Sequence, residues 1–249
     1  MYSEHVRQQA RELRARGLTW QAVATELGVS VSAVLAWDRD PHAWARRLSE
    51  CPRCGDAPLD SPAYSALLGY YLGDGHIARA ARYYALRVAC DTTYPGIIND
   101  VTDCITKVRP GARVFLVRRP GCINVQAHWQ HWACLFPQHG RGPKHERPIV
   151  LASWQQAIVE DHPGPFLRGL FHSDGCRANN WTRRTVAGEP KIYRYPRWQF
   201  VNASQDIREL CCWALDLVEI PWRPSNTRTI SVSRREAVAR LDELIGPKT

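Results

Sequence analysis

Two aspartates a hundred residues apart offer the plainest chemistry in this chain. Asp74 closes the run Leu67-Leu68-Gly69-Tyr70-Tyr71-Leu72-Gly73-Asp74-Gly75, and Asp174 closes Leu167-Arg168-Gly169-Leu170-Phe171-His172-Ser173-Asp174-Gly175. Each run has apolar residues at helical spacing, one glycine inside, and a terminal Asp-Gly. A glycine inside a helix costs about 1 kcal/mol relative to alanine, so its repetition at the same place calls for a packing reason. If Gly69 meets Gly169, the two helices approach backbone to backbone. Their C-terminal ends then bring Asp74 and Asp174 together. Two carboxylates at one point repel unless a cation lies between them, and oxygen donors of this kind suit a hard divalent ion.

A second constellation is Cys51-Pro-Arg-Cys54-Gly. A Cys-x-x-Cys followed by glycine has the shape of a zinc knuckle, because the tight turn lets both thiolates face one tetrahedral ion. No second Cys-x-x-Cys exists, so Zn²⁺ at Cys51 and Cys54 needs two further ligands. His42 is the nearest candidate, and Cys134 with His139 in HWACLFPQHG is a more distant pair. An odd count of nine cysteines without an export signal favours thiols or a metal site over a disulfide framework.

The paired runs resemble the LAGLIDADG motif of homing endonucleases, in the single-chain form with two pseudo-symmetric halves. The resemblance covers roughly residues 63 to 249. It implies an α+β fold in which two αββαββα halves form a DNA-binding saddle. It also implies that Asp74 and Asp174 are catalytic and hold Mg²⁺, assisted by the carbonyls of Gly73 and Ser173. Such a metal orients a water and neutralises developing charge on a phosphodiester. The acidic residue within the motif name is replaced here by Leu72 and His172, at a permissive position. Basic groups near the site are expected from HGRGPKHERP, with Lys144, Arg141, His145 and Arg147, and from Lys191 in the second half. Lys144 and Lys191 are the catalytic candidates among them.

The elements that must position these residues follow from periodicity. In the first half, strands are expected at 76–81, 85–91, 113–119 and 122–129, the last two joined by Pro120-Gly121, with helices at 97–108 and 154–160. The second half has strands expected at 177–185, 191–202, 224–226 and 229–233, with helices at 207–218 and 235–245. Side chains two apart on a strand share a face. Asn124, Gln126 and His128 therefore form one set, Arg177, Asn179, Trp181 and Arg183 a second, and Lys191, Tyr193, Tyr195, Arg197 and Gln199 a third. Polar and basic residues so arranged can follow the major groove and read base edges. The expected DNA contacts are Gln126, His128, Arg141, Arg177, Asn179, Arg183, Tyr193 and Arg197. Cys211-Cys212 and the tryptophans at 129, 132, 154, 198, 213 and 222 read as packing residues.

Ahead of the repeat, residues 1–56 read as a small all-α module with three short helices and the cysteine knuckle. Gly28 sits between two of the helices, Ala24 before it and Val34 after it, which is the arrangement of a helix-turn-helix. Ser32 on the third helix is the expected DNA contact. Domain boundaries are expected at 1–56, 63–162 and 163–249.

Charge ranks these surfaces. Residues 1–60 hold 8 basic and 8 acidic side chains, whereas the remainder holds 25 basic and 16 acidic, which is the entire excess of nine. Only four of the 33 basic residues are lysine: Lys107, Lys144, Lys191 and Lys248. The duplicated body is thus the main expected partner of double-stranded DNA, and the helix-turn-helix an accessory. No stretch approaches about 18 consecutive apolar residues, so a membrane span is excluded by sequence. The N-terminus has no apolar segment suited to a secretory signal, so the expected location is cytoplasmic, in a bacterial or phage-like setting and nucleoid-associated. The expected activity is Mg²⁺-dependent, sequence-specific cleavage of duplex DNA by a monomer. The alternative is a transcription regulator of the same fold that binds without cutting.

Overall fold

The computed structural model describes residues 2–186 and 188–249. The chain divides into two compact units, Met1–Pro58 and Leu59–Thr249.

In the first unit, each helix starts where a hydroxyl side chain can cap it. Ser3 caps α1 (Glu4–Ala15), Thr19 caps α2 (Trp20–Leu27) and Ser30 caps α3 (Val31–Arg39), each accepting from the backbone N–H three residues on. Gly28 ends α2 at φ 63°, ψ 35°, a left-handed conformation that suits glycine, and turns the chain into α3. Ala10, Leu13, Val23, Ala24, Val34 and Trp37 form the small core. A fourth helix that the sequence reading did not anticipate, α4 (Ala43–Ser49), resumes after Asp40-Pro41. The knuckle follows it. Arg53 N–H donates to Cys51 Sγ at 3.4 Å and Gly55 N–H to Cys51 O at 2.9 Å. A Cβ on Gly55 would lie 2.6 Å from Ser49 Cα, so this close turn requires glycine.

The second unit repeats one pattern twice. Its first half runs α5 (Ser61–Gly73), β1 (Gly75–Arg79), β2 (Tyr84–Asp91), α6 (Pro95–Val108), β3 (Val114–Arg119), β4 (Cys122–Trp129), the short α7 (Trp132–Leu135), a 3₁₀ turn at Lys144–Glu146, and α8 (Ser153–Asp161). The second half runs α9 (Pro163–Asp174), β5 (Gly175–Val186), β6 (Glu189–Val201), α10 (Gln205–Leu217), β7 (Arg223–Asn226), β8 (Thr229–Val232) and α11 (Arg235–Ile245). Both four-stranded sheets are antiparallel with the same strand order, β1-β2-β4-β3 and β5-β6-β8-β7. This is the αββαββα duplication expected from the sequence.

Helix α5 is the centre of the body. Every residue from Ala63 to Leu72 is buried, which is why its apolar residues surround the axis instead of forming a stripe. Asp60 caps it through Ala63 N–H at 2.9 Å. In the sheets, Leu86, Val88, Val125 and Ala127 are buried on one face while their strand neighbours Arg87, Asn124, Gln126 and His128 are not. The alternation gives each sheet one apolar face toward the helices and one polar face away from them.

Candidate active site

The site begins with the two glycines. A Cβ on Gly69 would collide with Phe166 O and lie 2.9 Å from Leu170 N, and one on Gly169 would collide with Ala66 O and lie 2.6 Å from Tyr70 N. Helices α5 and α9 therefore cross with backbone against backbone, and no other residue fits at the crossing. One turn further on, a Cβ on Gly73 would strike Ser173 Cβ and lie 3.3 Å from Asp174 Oδ2. The crossing thus sets both aspartates at one point, each at the C-terminal end of its helix.

Burial raises the pKa of both carboxyls. Asp74 is pushed up to about 6, first by desolvation and then by the charge of Asp174, against the pull of two lysines. Asp174 is also raised by burial, but Asn202 Nδ2 donates to its Oδ2 at 2.7 Å and favours the ionised form. The two carboxyls therefore differ, although their backbones are related by the repeat.

Two lysines face them. Lys144 Nζ donates to the carbonyls of Tyr71, Gly73 and Gly75 at 2.6, 2.6 and 2.9 Å. Lys248 Nζ donates to Ser173 O at 3.4 Å and Gly175 O at 3.0 Å. The exposed carbonyls at a helix C-terminus attract cations, so each ammonium sits at the negative end of one motif helix. Burial lowers the pKa of Lys144 to about 8, opposed by Asp174 and then Asp74. Lys248 is lowered for the same reason, opposed first by Asp74. Beside them, Ser173 Oγ is buried with no hydrogen-bond partner among the described residues. The Gly73 and Ser173 carbonyls proposed from sequence as metal donors are thus at the site, each within reach of an ammonium.

Of the four candidates in HGRGPKHERP, only Lys144 bonds to the end of a motif helix. Arg141 and His145 are exposed, and Arg147 donates to Gln138 O. Lys191 is not at the site, contrary to expectation. It pairs with Arg184 near the tip of the β5–β6 hairpin, nine residues from Gly175, or roughly 30 Å at about 3.3 Å per residue. The residue the sequence reading missed is Lys248. Its signal was the repeat itself, since a site with Lys144 in one half calls for a basic partner in the other.

Register decides which expected DNA contacts share the polar face. Gln126 pairs with Arg87 across β4 and β2, and His128 stacks on Tyr83 with ring centroids 4.4 Å apart. In the second half, Tyr193, Tyr195 and Arg197 lie opposite Thr182, Asn180 and Ala178, and Arg197 donates to Ser231 Oγ at 2.7 Å. Arg177, Asn179 and Arg183 belong to the other face. Arg177 lies opposite Trp198, which is buried against Phe171 of α9, and forms a bidentate pair with Asp242 of α11 at 2.7 and 2.8 Å. Arg177 is thereby corrected to the helix side of the ribbon, and Asn179 and Arg183 share its face by alternation while exposed farther along the hairpin. In the first unit, Ser32 is exposed on α3 with its Oγ 3.1 Å from Ser30 Oγ.

The first and second units each carry a cysteine cluster. Cys51 is buried and Cys54 exposed in the first. In the second, Cys134 Sγ lies 3.6 Å from His131 Nδ1, and His139 instead turns its Nδ1 to Phe136 O at 3.1 Å. The expected Cys134–His139 pair is therefore replaced by His131–Cys134.

No family model matches the chain, and no curated protein matches it. Solved structures do. The homing endonuclease I-DmoI in complex with DNA and Mn aligns at 11% identity and a TM-score of 0.48, over 76% of this chain and 99% of that one. I-WcaI bound to its DNA recognition sequence aligns at 12% and 0.46, over 77% and 84%. The LAGLIDADG meganuclease I-AabMI bound to uncleaved DNA aligns at 10% and 0.44, over 74% and 82%. At that level of likeness, the weight rests on this chain's own topology: two crossed motif helices, each opening an αββαββα half and ending in Asp-Gly. It is a duplicated αββαββα fold. Within that fold, the helix crossing builds the site and the sheets supply the polar surfaces.

Proposed function

We propose that the body is a metal-dependent, sequence-specific endonuclease of the homing type that hydrolyses phosphodiester bonds of double-stranded DNA. The observation that carries this reading is the meeting of Asp74 and Asp174 at the ends of crossed helices, with Lys144 and Lys248 on either side. The donor set fits a divalent cation. Two carboxyls with raised pKa, two backbone carbonyls and an orphaned serine hydroxyl are all hard oxygen donors. Asp74 and Asp174 would hold the ion, with the Gly73 and Ser173 carbonyls beside them. A bound Mg²⁺ supplies Lewis acidity and a lowered pKa for its water.

The protein's own groups do the rest. Asp74 and Asp174 must be ionised, so activity falls as pH drops through about 6. Lys144 and Lys248 bring positive charge to a phosphate placed at the helix ends. Lys144, lowered to about 8, also exchanges its proton near the working pH. In the net reaction a water oxygen bonds to phosphorus, one P–O bond breaks, and the departing oxygen takes up a proton. The polar sheet faces carrying Arg87, Gln126 and His128, and Tyr193 and Arg197, suit the edges and phosphates of a duplex.

The test uses a target selected from randomised duplexes in Ca²⁺ and cloned into supercoiled plasmid. With Mg²⁺ the wild type is expected to nick and linearise it, and Asp174→Asn to lower the rate by about a hundredfold or more. Binding without any cleavage by the wild type would overturn the enzyme reading and leave a DNA-binding regulator.

The first unit adds an accessory contact in this proposal, through the exposed face of α3 that bears Ser32. Its knuckle is proposed to hold Zn²⁺, supported by the buried Cys51, the N–H···S bond from Arg53 and the tight turn at Gly55. Two more donors would complete the tetrahedral site. Zinc content by mass spectrometry should be one per chain in the wild type and near zero in Cys54→Ser. Equal zinc in both would overturn it.

A further inference from the structure

The two lysines occupy equivalent places by unlike routes. Lys144 arrives on the 3₁₀ turn within the first half, between β4 and α8. The second half has no such loop, because only two residues separate β8 from α11. Its lysine comes instead from the segment 246–249 beyond α11. The carbonyls it meets, Ser173 and Gly175, are the repeat counterparts of Gly73 and Gly75.

That segment is held by both halves. Gly246, at φ 70°, ψ 175°, turns the chain back in a conformation open to glycine, and His172 Nε2 donates to its carbonyl at 3.4 Å. Thr249 O accepts from Ile97 N–H at 3.2 Å, in the first turn of α6. Gly96 makes room for it, since a Cβ there would collide with Thr249 Oγ1 and lie 2.7 Å from Thr249 O. Between these two anchors Lys248 Nζ lies 5.2 Å from the Tyr94 ring centroid, beside a cavity of about 130 Å³ that Asp74 and Ser173 also line.

We infer that residues 246–249 form a strap whose seating on Gly96 and His172 places Lys248 as the second catalytic lysine, so that cutting of one DNA strand depends on the strap and cutting of the other on Lys144. This rests on the proposed hydrolysis. Gly96 and His172 act as positioning residues: His172 lines the cavity beside Asp74 and Lys248, and each holds the backbone that carries Lys248. Position 172 is where the motif departs from its namesake, and in this chain the histidine reaches the strap while its counterpart Leu72 is core.

The test has two arms on the full chain. In the first, a duplex carrying the selected target is labelled differently on each strand. Gly96→Ala and Lys248→Met are each expected to slow one strand by about a hundredfold while the other is cut at close to the wild-type rate. Equal slowing of both strands, or of neither, would overturn the strand dependence. In the second, amine labelling is read per lysine by mass spectrometry, which four lysines make simple. Gly96→Ala should make Lys248 react several-fold faster, with Lys144 still protected and Lys191 unchanged as the exposed reference. Unchanged labelling of Lys248 would overturn the strap. A wild type that cuts neither strand would defeat the hydrolysis, and the labelling would still decide the docking.

Discussion

The two halves of the body share a backbone plan and diverge in how they use it. In the first half the lysine is delivered by a loop, β1 and β2 are 5 and 8 residues long, and Asp74 carries the larger electrostatic burden. In the second, a strap from beyond the last helix delivers the lysine, β5 and β6 reach 12 and 13 residues, and Asn202 supports Asp174. What stays symmetric is the helix crossing, the Asp-Gly ends and the carbonyl cradles. The lengths of the leading strands and the routes of the two lysines differ. A duplicated frame with an asymmetric surface suits a target whose two halves are unlike.

The sharpest challenge to the symmetric part is at the crossing. Gly69→Ala and Gly169→Ala should each destabilise the body by about 3 kcal/mol or more, because the added methyl meets backbone that cannot move alone. Equal losses in urea melts would show that both halves depend on one contact, and a small loss in either would break the symmetry. Next comes Asp74. Its folded pKa, about 6, lies above the unfolded value, so the protonated form adds stability that is full below pH 4 and lost as pH rises through 6. Without metal, thermal melts should show that decline, and Asp74→Asn should flatten it. A pH-independent midpoint would show that Asp74 is not strained.

Asn202→Ala tests the asymmetry between the carboxyls. Losing a hydrogen bond to an ion of this kind costs about 2 kcal/mol, raises the Asp174 pKa, and moves the acid limb of Mg²⁺-dependent nicking to higher pH. An unmoved limb would assign that titration to Asp74 alone. The smallest effects separate the two sheet faces. Arg197→Ala should reduce the salt dependence of DNA binding by about one phosphate contact. Arg177→Ala should leave it unchanged and cost less than about 1 kcal/mol of stability, since its pair with Asp242 is half exposed. The reverse result would exchange the faces.

Much of this frame is legible in the sequence because the crossing leaves few choices. Backbone contact demands glycine, and the repeated Gly and Asp-Gly fix which helices meet and where their ends fall. Strand positions follow from alternation for the same local reason. What alternation cannot say is which face is buried. Arg177, Asn179 and Arg183 share a face as expected, yet that face turns out to hold Trp198, and only cross-strand register reveals it. Lys191 was displaced by hairpin length, a property of the turn and not of the residue. Lys248 was overlooked because its route lies outside the repeat. His131 displaces His139 because α7 starts at Trp132 and sets Cys134 three residues beyond its N-cap His131.

The glycine crossing has one more consequence. The separation of the two carboxyls is set by the thickness of two bare backbones and by no side chain. Substitutions on the sheets can alter what is recognised without changing the spacing of the reactive groups, and that spacing cannot drift gradually. The sheet surfaces are thereby free to evolve, while the spacing of the two carboxyls is inherited whole or lost.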